Sequence, residues 1–296
     1  MSAPRLTVVI PAKDRPGAVG GAVEAALAQT VRDLEVIVVD DGSEPPLRLP
    51  ERERVRVIRR ERSGGPSAAR NAGLAAARGR YVTFIDDDNR HLPGFAEASL
   101  RAIAESALPP PVACLSGIEI VRGGRVVETR LPPTHPRGEH FSLEQPPPGR
   151  SHMTKGTLVV ETEVLRSIGG FDESLRSREQ ADLFYRLNPV CSIVGLSSVA
   201  YRVDRDPGER LSRDPAALVE GVERLIDKHR PLMEAHPRGY ADLLLGHARM
   251  SIVAGPRREV LPSIARAFRI APRHTAGVLL DGRRMASALA HLNTSG

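Results

Sequence analysis

One stretch constrains this chain more than any other: Tyr81-Val82-Thr83-Phe84-Ile85 runs straight into Asp86-Asp87-Asp88-Asn89. Aromatic and β-branched residues suit a buried strand. The next apolar residue is Leu92, so the acids sit where that strand leaves its sheet. In an open α/β sheet this edge is where ligands bind. In extended chain Asp86 and Asp88 share a face and Asp87 points the other way. Two carboxylates on one face repel unless a cation lies between them. Hard oxygen donors suit Mg²⁺ or Mn²⁺, which often complete their shell with phosphate oxygens. The competing reading is a solvated turn in which Asp88 or Asn89 caps a helix starting near Pro93.

The segments around it repeat one theme. Leu6-Thr7-Val8-Val9-Ile10 reads as a first buried strand, halted by Pro11. Pro16 can open a helix whose apolar face is Val19, Val23, Ala26 and Leu27. Leu34 to Val39 is a second strand, ending in Asp40-Asp41-Gly42-Ser43, and Val55 to Ile58 a third. Gly64-Gly65-Pro66-Ser67 opens a helix to Ala76, with an N-terminus favourable to an anion. Alternating strands and helices imply an α/β fold with a parallel sheet and right-handed crossovers. Three strand ends, Pro11-Ala12-Lys13-Asp14, Asp40-Asp41 and Asp86–Asp88, then converge on one edge. One carboxylate there can accept a base imide N–H or ribose hydroxyls, and another can hold a metal on a diphosphate. Arg70 and Lys13 can neutralise remaining negative charge.

Further on, a helix is expected from Pro93 to Glu105, then strands Val112 to Ile120 and Val126 to Thr129 around Gly123-Gly124. Residues 131–150 are a proline-punctuated loop, either a lid or a disordered insertion. Strand Gly156 to Val160, a helix capped by Thr162, a turn at Gly169-Gly170-Phe171-Asp172-Glu173, helix Glu179 to Leu187 and strand Val199 to Val203 follow. After Ser212 the pattern becomes helical: Asp214-Pro215 to His229, Tyr240 to Ala254, Arg257 to Ile270 and Ala276 to Leu292. Residues 1–212 are therefore expected to form the α/β domain, with a nucleotide-binding half 1–107 and an acceptor half 108–212. Residues 213–296 are expected to be a helical appendage. Its last helix carries Arg283 and Arg284 beside apolar Val278, Leu279, Met285 and Leu289. It either packs on its own protein or touches a membrane surface.

Composition narrows the classes. No apolar stretch of the 296 residues spans a bilayer. The start, Met1-Ser2-Ala3-Pro4-Arg5, runs straight into a strand, which predicts no signal peptide. Cys114 and Cys191 form no metal-ligand pattern and read as reduced thiols of a cytoplasmic protein, peripheral at most to the inner face of a membrane. The net charge is +6, and all basic residues except Lys13, Lys155 and Lys228 are arginine. Nucleic-acid binding calls for stacking aromatics, which are 3% of the chain, so that class is set aside in favour of anionic small substrates. His135, His140 and His152 lie in or beside the proline-rich loop and form no ligand spacing.

Five stretches together resemble the inverting family 2 glycosyltransferases of the GT-A fold. They are Val8-Val9-Ile10-Pro11; Val38-Val39-Asp40-Asp41-Gly42-Ser43; Gly65 to Gly73; Gly79 to Asn89; and Gly169 to Glu173 followed by Glu179-Gln180-Ala181-Asp182-Leu183. The likeness covers about residues 5–205 and leaves out the C-terminal helices. It implies a mostly parallel, Rossmann-like sheet flanked by helices. It also implies transfer of a sugar from a nucleoside diphosphate to an acceptor hydroxyl, with Mn²⁺ or Mg²⁺. UDP is the favoured nucleotide, with dTDP or GDP as alternatives, and the acceptor is unassigned. Pro11, Ala12, Asp14, Asp41, Arg70, Asp86 and Asp87 would line the donor, with Asp41 at the base and Asp86 at the ribose or metal. Asp88, with Asp86 and Asp204, would hold the metal.

The departure lies at the base. The family usually has Glu-Asp where this chain has Glu179-Gln180, and the aspartate is the usual proton acceptor. Gln180 cannot take a proton. Glu179 is the expected substitute, with Asp182 and Asp172 as alternatives. Asp204 stands where many members have a metal-binding histidine. Two other readings remain. A nucleotidyltransferase would need a glycine-rich phosphate loop that Pro11-Ala12-Lys13-Asp14-Arg15-Pro16 lacks. A nucleotide-binding scaffold that has lost its base is the reading from outside enzymology, motivated by Gln180.

Overall fold

The computed structural model describes residues 3–139, 143–144, 146–151, 155–204, 215–254 and 257–280. The chain divides into two compact units. The first is Met1–Glu139, Pro147–Glu173 and Arg186–Gly208; the second is His140–Pro146, Ser174–Tyr185 and Glu209–Gly296. The helical unit thus takes in two segments from before residue 213.

In chain order the first unit contains β1 (Leu6–Ala12), α1 (Pro16–Leu27), β2 (Leu34–Asp40), β3 (Val55–Arg59), α2 (Gly65–Ala76), β4 (Tyr81–Phe84), β5 (Asn89–His91) and α3 (Phe95–Glu105). Then come β6 (Val112–Arg122), β7 (Arg125–Arg130), β8 (Leu158–Glu161), α4 (Thr162–Ser167) and, after α5 (Glu179–Leu187), β9 (Ser192–Asp204). The strands form one sheet in the order β3-β2-β1-β4-β8-β6-β9-β5, with β7 on β6. Pairing is parallel through β3-β2-β1-β4 and between β6 and β9. Antiparallel β8 joins these two parts, and β5 and β7 are also antiparallel to their partners. The sheet is therefore mixed, mostly parallel along its paired length.

Every residue of β1 and β2 is buried, and apart from Thr7, Glu35 and Asp40 both are apolar, as suits strands with helices over both faces. Close approach of α2 to β1 requires Gly73, because a Cβ there would overlap Val9 Cγ1 and come within 3.3 Å of Val39 Cγ2. The second unit holds most of α5 with α6 (Pro215–Lys228), α7 (Arg230–Ala235), α8 (Pro237–Ala254), α9 (Val260–Ile270) and α10 (Pro272–Leu280). Its core includes Tyr185, Val222, Leu225, Met233, Leu244 and Ala267.

Several expectations are corrected. Neither Asp88 nor Asn89 caps a helix. Asn89 closes a turn on the Asp86 carbonyl (3.0 Å) and begins β5, and α3 starts later, after Gly94 at φ +82°. A three-residue strand reading Asn-Arg-His has no apolar period to reveal it. Thr162 does not cap α4; its hydroxyl donates to the Gly79 carbonyl at 2.6 Å. Part of the proline-rich loop is fixed, with Pro132, Pro133 and His135 buried and His135 exchanging backbone hydrogen bonds of 2.8 Å with Ile193. The readings that fall on His140, His152, Asp214, Gly255-Pro256, Arg283, Arg284, Met285 and Leu289 lie outside the described residues.

Replacing Gly73 with Ala should overfill the contact between α2 and β1. A loss of about 1–3 kcal/mol in urea unfolding is expected; an unchanged midpoint would mean that the contact is loose.

Candidate active site

Parallel pairing of β1 with β2 and β4 puts their C-terminal ends on one edge: Ala12 lies opposite Asp40, and Val9 opposite Phe84. Side chains then tie the three ends together. The Asp14 N–H donates to Ser43 Oγ (3.0 Å), and the Glu44 N–H donates to Asp14 Oδ1 (2.9 Å). Asp14 holds this position at φ +54°, a left-handed conformation that aspartate tolerates better than most side chains. Arg15 Nη1 reaches Asp88 Oδ2 (3.3 Å) and Asp87 Oδ1 (3.6 Å). Pro11 and Ala12 are buried beneath, and Lys13 is exposed.

The acids of the second strand end are spoken for. Asp40 accepts the N–H groups of Ser43 (2.8 Å) and Leu47 (3.1 Å) and pairs with Arg59 (2.5 Å). Asp41 Oδ1 accepts from Arg60 and the Gly64 N–H (3.1 Å); Oδ2 accepts from Ser63 Oγ and the Gly65 N–H, both at 2.8 Å. Burial alone would raise both carboxyls, but these hydrogen bonds outweigh it and hold both below the usual carboxylate range. With four donors on its two oxygens, Asp41 is saturated. It organises loop 60–65 and the start of α2, and a base could meet it only by displacing one of those donors. Neither Arg59-Arg60 nor Ser63 stood out in the sequence as partners of the acids.

The third strand end is less compensated. Arg70, buried in α2, donates to Asp86 Oδ1 at 2.6 Å and lies over the Phe171 ring, 5.5 Å from its centroid. Arg70 thus neutralises Asp86, as expected of a cation at this edge. Phe171 meets Phe84 edge-on at 5.0 Å, and Asn71 brackets its backbone with two hydrogen bonds of 2.8 Å. The Gly169–Glu173 turn is docked on β4 and α2 in this way. Asp87 is pushed up to about 6, first by burial and then by the neighbouring Asp88 charge. Asp88 is the most open of the three, with 42% of its side chain exposed.

The register of β5 on β9 pairs Asn89 with Val203, and Asp88 and Asp204 are the residues that adjoin this pair in the chain. Asp204 is 32% exposed and 3.6 Å from Arg90 Nε. Asp88 and Asp204 each expose part of a carboxylate, the oxygen donor type that suits a hard divalent cation. Beneath them Tyr201 is buried, its hydroxyl raised well above the usual value by burial and by Asp86 and Asp88. His91 stacks on Phe95 at 3.9 Å, and its Nε2 bonds the Gly156 carbonyl at 2.9 Å.

The residues expected to supply a base lie in the helical unit, apart from Asp172. Glu179 opens α5 and is half-buried; Gln180 is buried. Asp182 is fully buried, with Oδ1 2.7 Å from Lys228 Nζ and 2.8 Å from His229 Nε2. Those partners tie Asp182 to the end of α6, so it anchors α5 to α6. Arg178, just before α5, is buried at φ +65° and bonds Met250 Sδ at 3.2 Å.

Comparison with known proteins gives a consistent picture. Residues 7–141 match the family model described as glycosyl transferase family 2. The pre-mycofactocin glycosyltransferase of Mycobacterium tuberculosis is 30% identical over 98% of this chain and 59% of its own length. The succinoglycan biosynthesis protein ExoO of Rhizobium meliloti is 42% identical over 30% of this chain and 27% of its own. The chain thus spans little more than half the length of the M. tuberculosis relative. Among solved structures, S. aureus TarS 1–349 in complex with UDP-GlcNAc superposes with a TM-score of 0.62 at 16% identity, covering 98% of this chain and 89% of that one. It supports the fold.

Two outcomes test the local electrostatics. Burial pushes the His91 imidazole down to about 4 from an ordinary 6.5. Protonation therefore favours the unfolded chain, and stability is lost as pH falls from 6.5 to about 4. His91→Gln keeps a donor for Gly156 and cannot titrate. It should flatten the pH dependence of unfolding in that window, by an amount on the order of 3 kcal/mol; an unaltered profile would contradict the buried neutral ring. Asp182→Asn should cost about 1–3 kcal/mol by calorimetry, less than a fully buried pair because Lys228 can turn to water.

Proposed function

We propose, from the match of residues 7–141 to the glycosyl transferase family 2 model, that this chain belongs to that family and moves a sugar from a nucleoside diphosphate to an acceptor hydroxyl with inversion. UDP is the first nucleotide to test, because the structurally similar TarS was solved with UDP-GlcNAc. The observation that carries the reading is the meeting of Asp14, Asp41 and Asp86–Asp88 on one sheet edge, with Asp88 the most exposed of the last three.

Asp88 and Asp204, with Asp86 beside them, would hold Mn²⁺ or Mg²⁺. When bound, the ion supplies positive charge against the diphosphate that leaves. Loop 60–65, held by Asp41, and residues 11–14 would frame the nucleoside. Arg70 holds the Asp86 carboxylate in place through its 2.6 Å ion pair. Glu179 is our assignment for the group that takes the acceptor's proton, since Gln180 cannot and Asp182 is committed to Lys228 and His229.

Gln180 also supports a second reading, a glycosyltransferase-like protein that binds nucleotide without turning it over. No helix among the described residues is long and apolar enough to cross a membrane.

Asp88→Asn should lower UDP release from UDP-sugars at least a hundredfold, in line with removing a group that stabilises developing charge. Glu179→Gln should lower turnover to a similar degree while leaving UDP affinity within about twofold, as loss of a general base does. Undiminished turnover by Asp88→Asn would refute the donor site. Donor binding without turnover across a broad acceptor panel would favour the second reading.

A further inference from the structure

We propose that Arg15 is a built-in counter-cation of the acidic edge: it holds Asp88 until a divalent cation displaces it, and it then turns to the diphosphate of the donor. This rests on the donor-site reading above. Arg15 Nη1 lies 3.3 Å from Asp88 Oδ2 and 3.6 Å from Asp87 Oδ1. Asp88 is the most exposed carboxylate of the set, at 42% against 36% for Asp86, and the one assigned to the metal. A guanidinium has five donors and no lone pair for a metal, so the two cations compete for the same carboxylate.

The geometry lets one replace the other. The Arg15 backbone is pinned, because its carbonyl accepts the N–H groups of Ala18 (3.2 Å) and Val19 (3.3 Å) in the first turn of α1, and Pro16 follows. Its side chain is 31% exposed, so it can swing while the backbone stays. Arg70 offers the contrast. Its side chain is 4% exposed, under the Asp86 carboxylate and over the Phe171 ring, and is built to remain there. A displaced Arg15 stays at the rim of the same edge. There a diphosphate brings new negative charge, to which a planar guanidinium binds through paired hydrogen bonds. Arg15 would thus oppose the metal alone and favour the metal with donor.

The two effects have opposite signs, which separates this role from simple surface charge. Mn²⁺ titration followed by electron paramagnetic resonance, without nucleotide, should show Arg15→Gln binding the ion about two- to fivefold tighter than wild type, the range expected for an exposed ion pair removed from competition. Arg15→Lys should lie nearer wild type. At saturating Mn²⁺, Arg15→Gln should bind UDP about three- to tenfold more weakly, as loss of a charge-assisted contact does. Equal or weaker Mn²⁺ binding by Arg15→Gln, or unchanged UDP affinity, would overturn the proposal. Asp88→Asn tells the two failures apart. If it loses Mn²⁺ while Arg15→Gln changes nothing, Arg15 alone was misassigned. If wild type and Asp88→Asn bind Mn²⁺ alike, the donor-site reading falls and this inference with it.

Discussion

Like-charge repulsion at one sheet edge is the constraint on which the rest of this structure depends. Parallel β1, β2 and β4 deliver Asp14, Asp40-Asp41 and Asp86–Asp88 to the same side, and carboxylates so gathered must be neutralised or stay protonated. The solutions are graded. Asp40 and Asp41 are buried and each carries an arginine and backbone N–H groups. Asp86 has the buried Arg70. Asp87 and Asp88 meet Arg15, whose side chain is partly in water, and Asp87 is pushed up to about 6 by burial first and by Asp88 next. Charge is thus spent on architecture at the second strand end and left available at the fourth. A cationic ligand gains most where compensation is weakest.

Much of this was legible because the relevant signals are local. Buried parallel strands read as apolar runs, and a run that stops at acids marks its own exit from the sheet. The hairpin around Gly123-Gly124 and the helix from Glu179 follow from turn chemistry and period in the same way. What could not be read depends on contacts far apart in sequence. Arg70 serves Asp86 across a helix and a strand, Arg60 closes on Asp41, and Asn71 grips Phe171 a hundred positions on. The strand β5 and the antiparallel insertion of β8 are tertiary choices without a periodic signature. Asp182 shows the same limit. In the sequence it is an acid beside a missing base, and in the fold it is an anchor held by Lys228 and His229.

The altered base position fits this picture of divided labour. Gln180 is buried and Asp182 is bound, so in this part of α5 the acid left with partial exposure is Glu179. A helix first turn favours a negative charge there by its dipole.

The most direct test of the central claim is thermal unfolding of the purified protein with UDP, dTDP, GDP and CDP, each with and without Mn²⁺. A ligand at about a hundred times its dissociation constant adds roughly 2.7 kcal/mol of stability. The account predicts an upward shift for one nucleotide, UDP first, that appears only when Mn²⁺ is present. A folded protein whose transition moves with no nucleotide, with or without the metal, would contradict it.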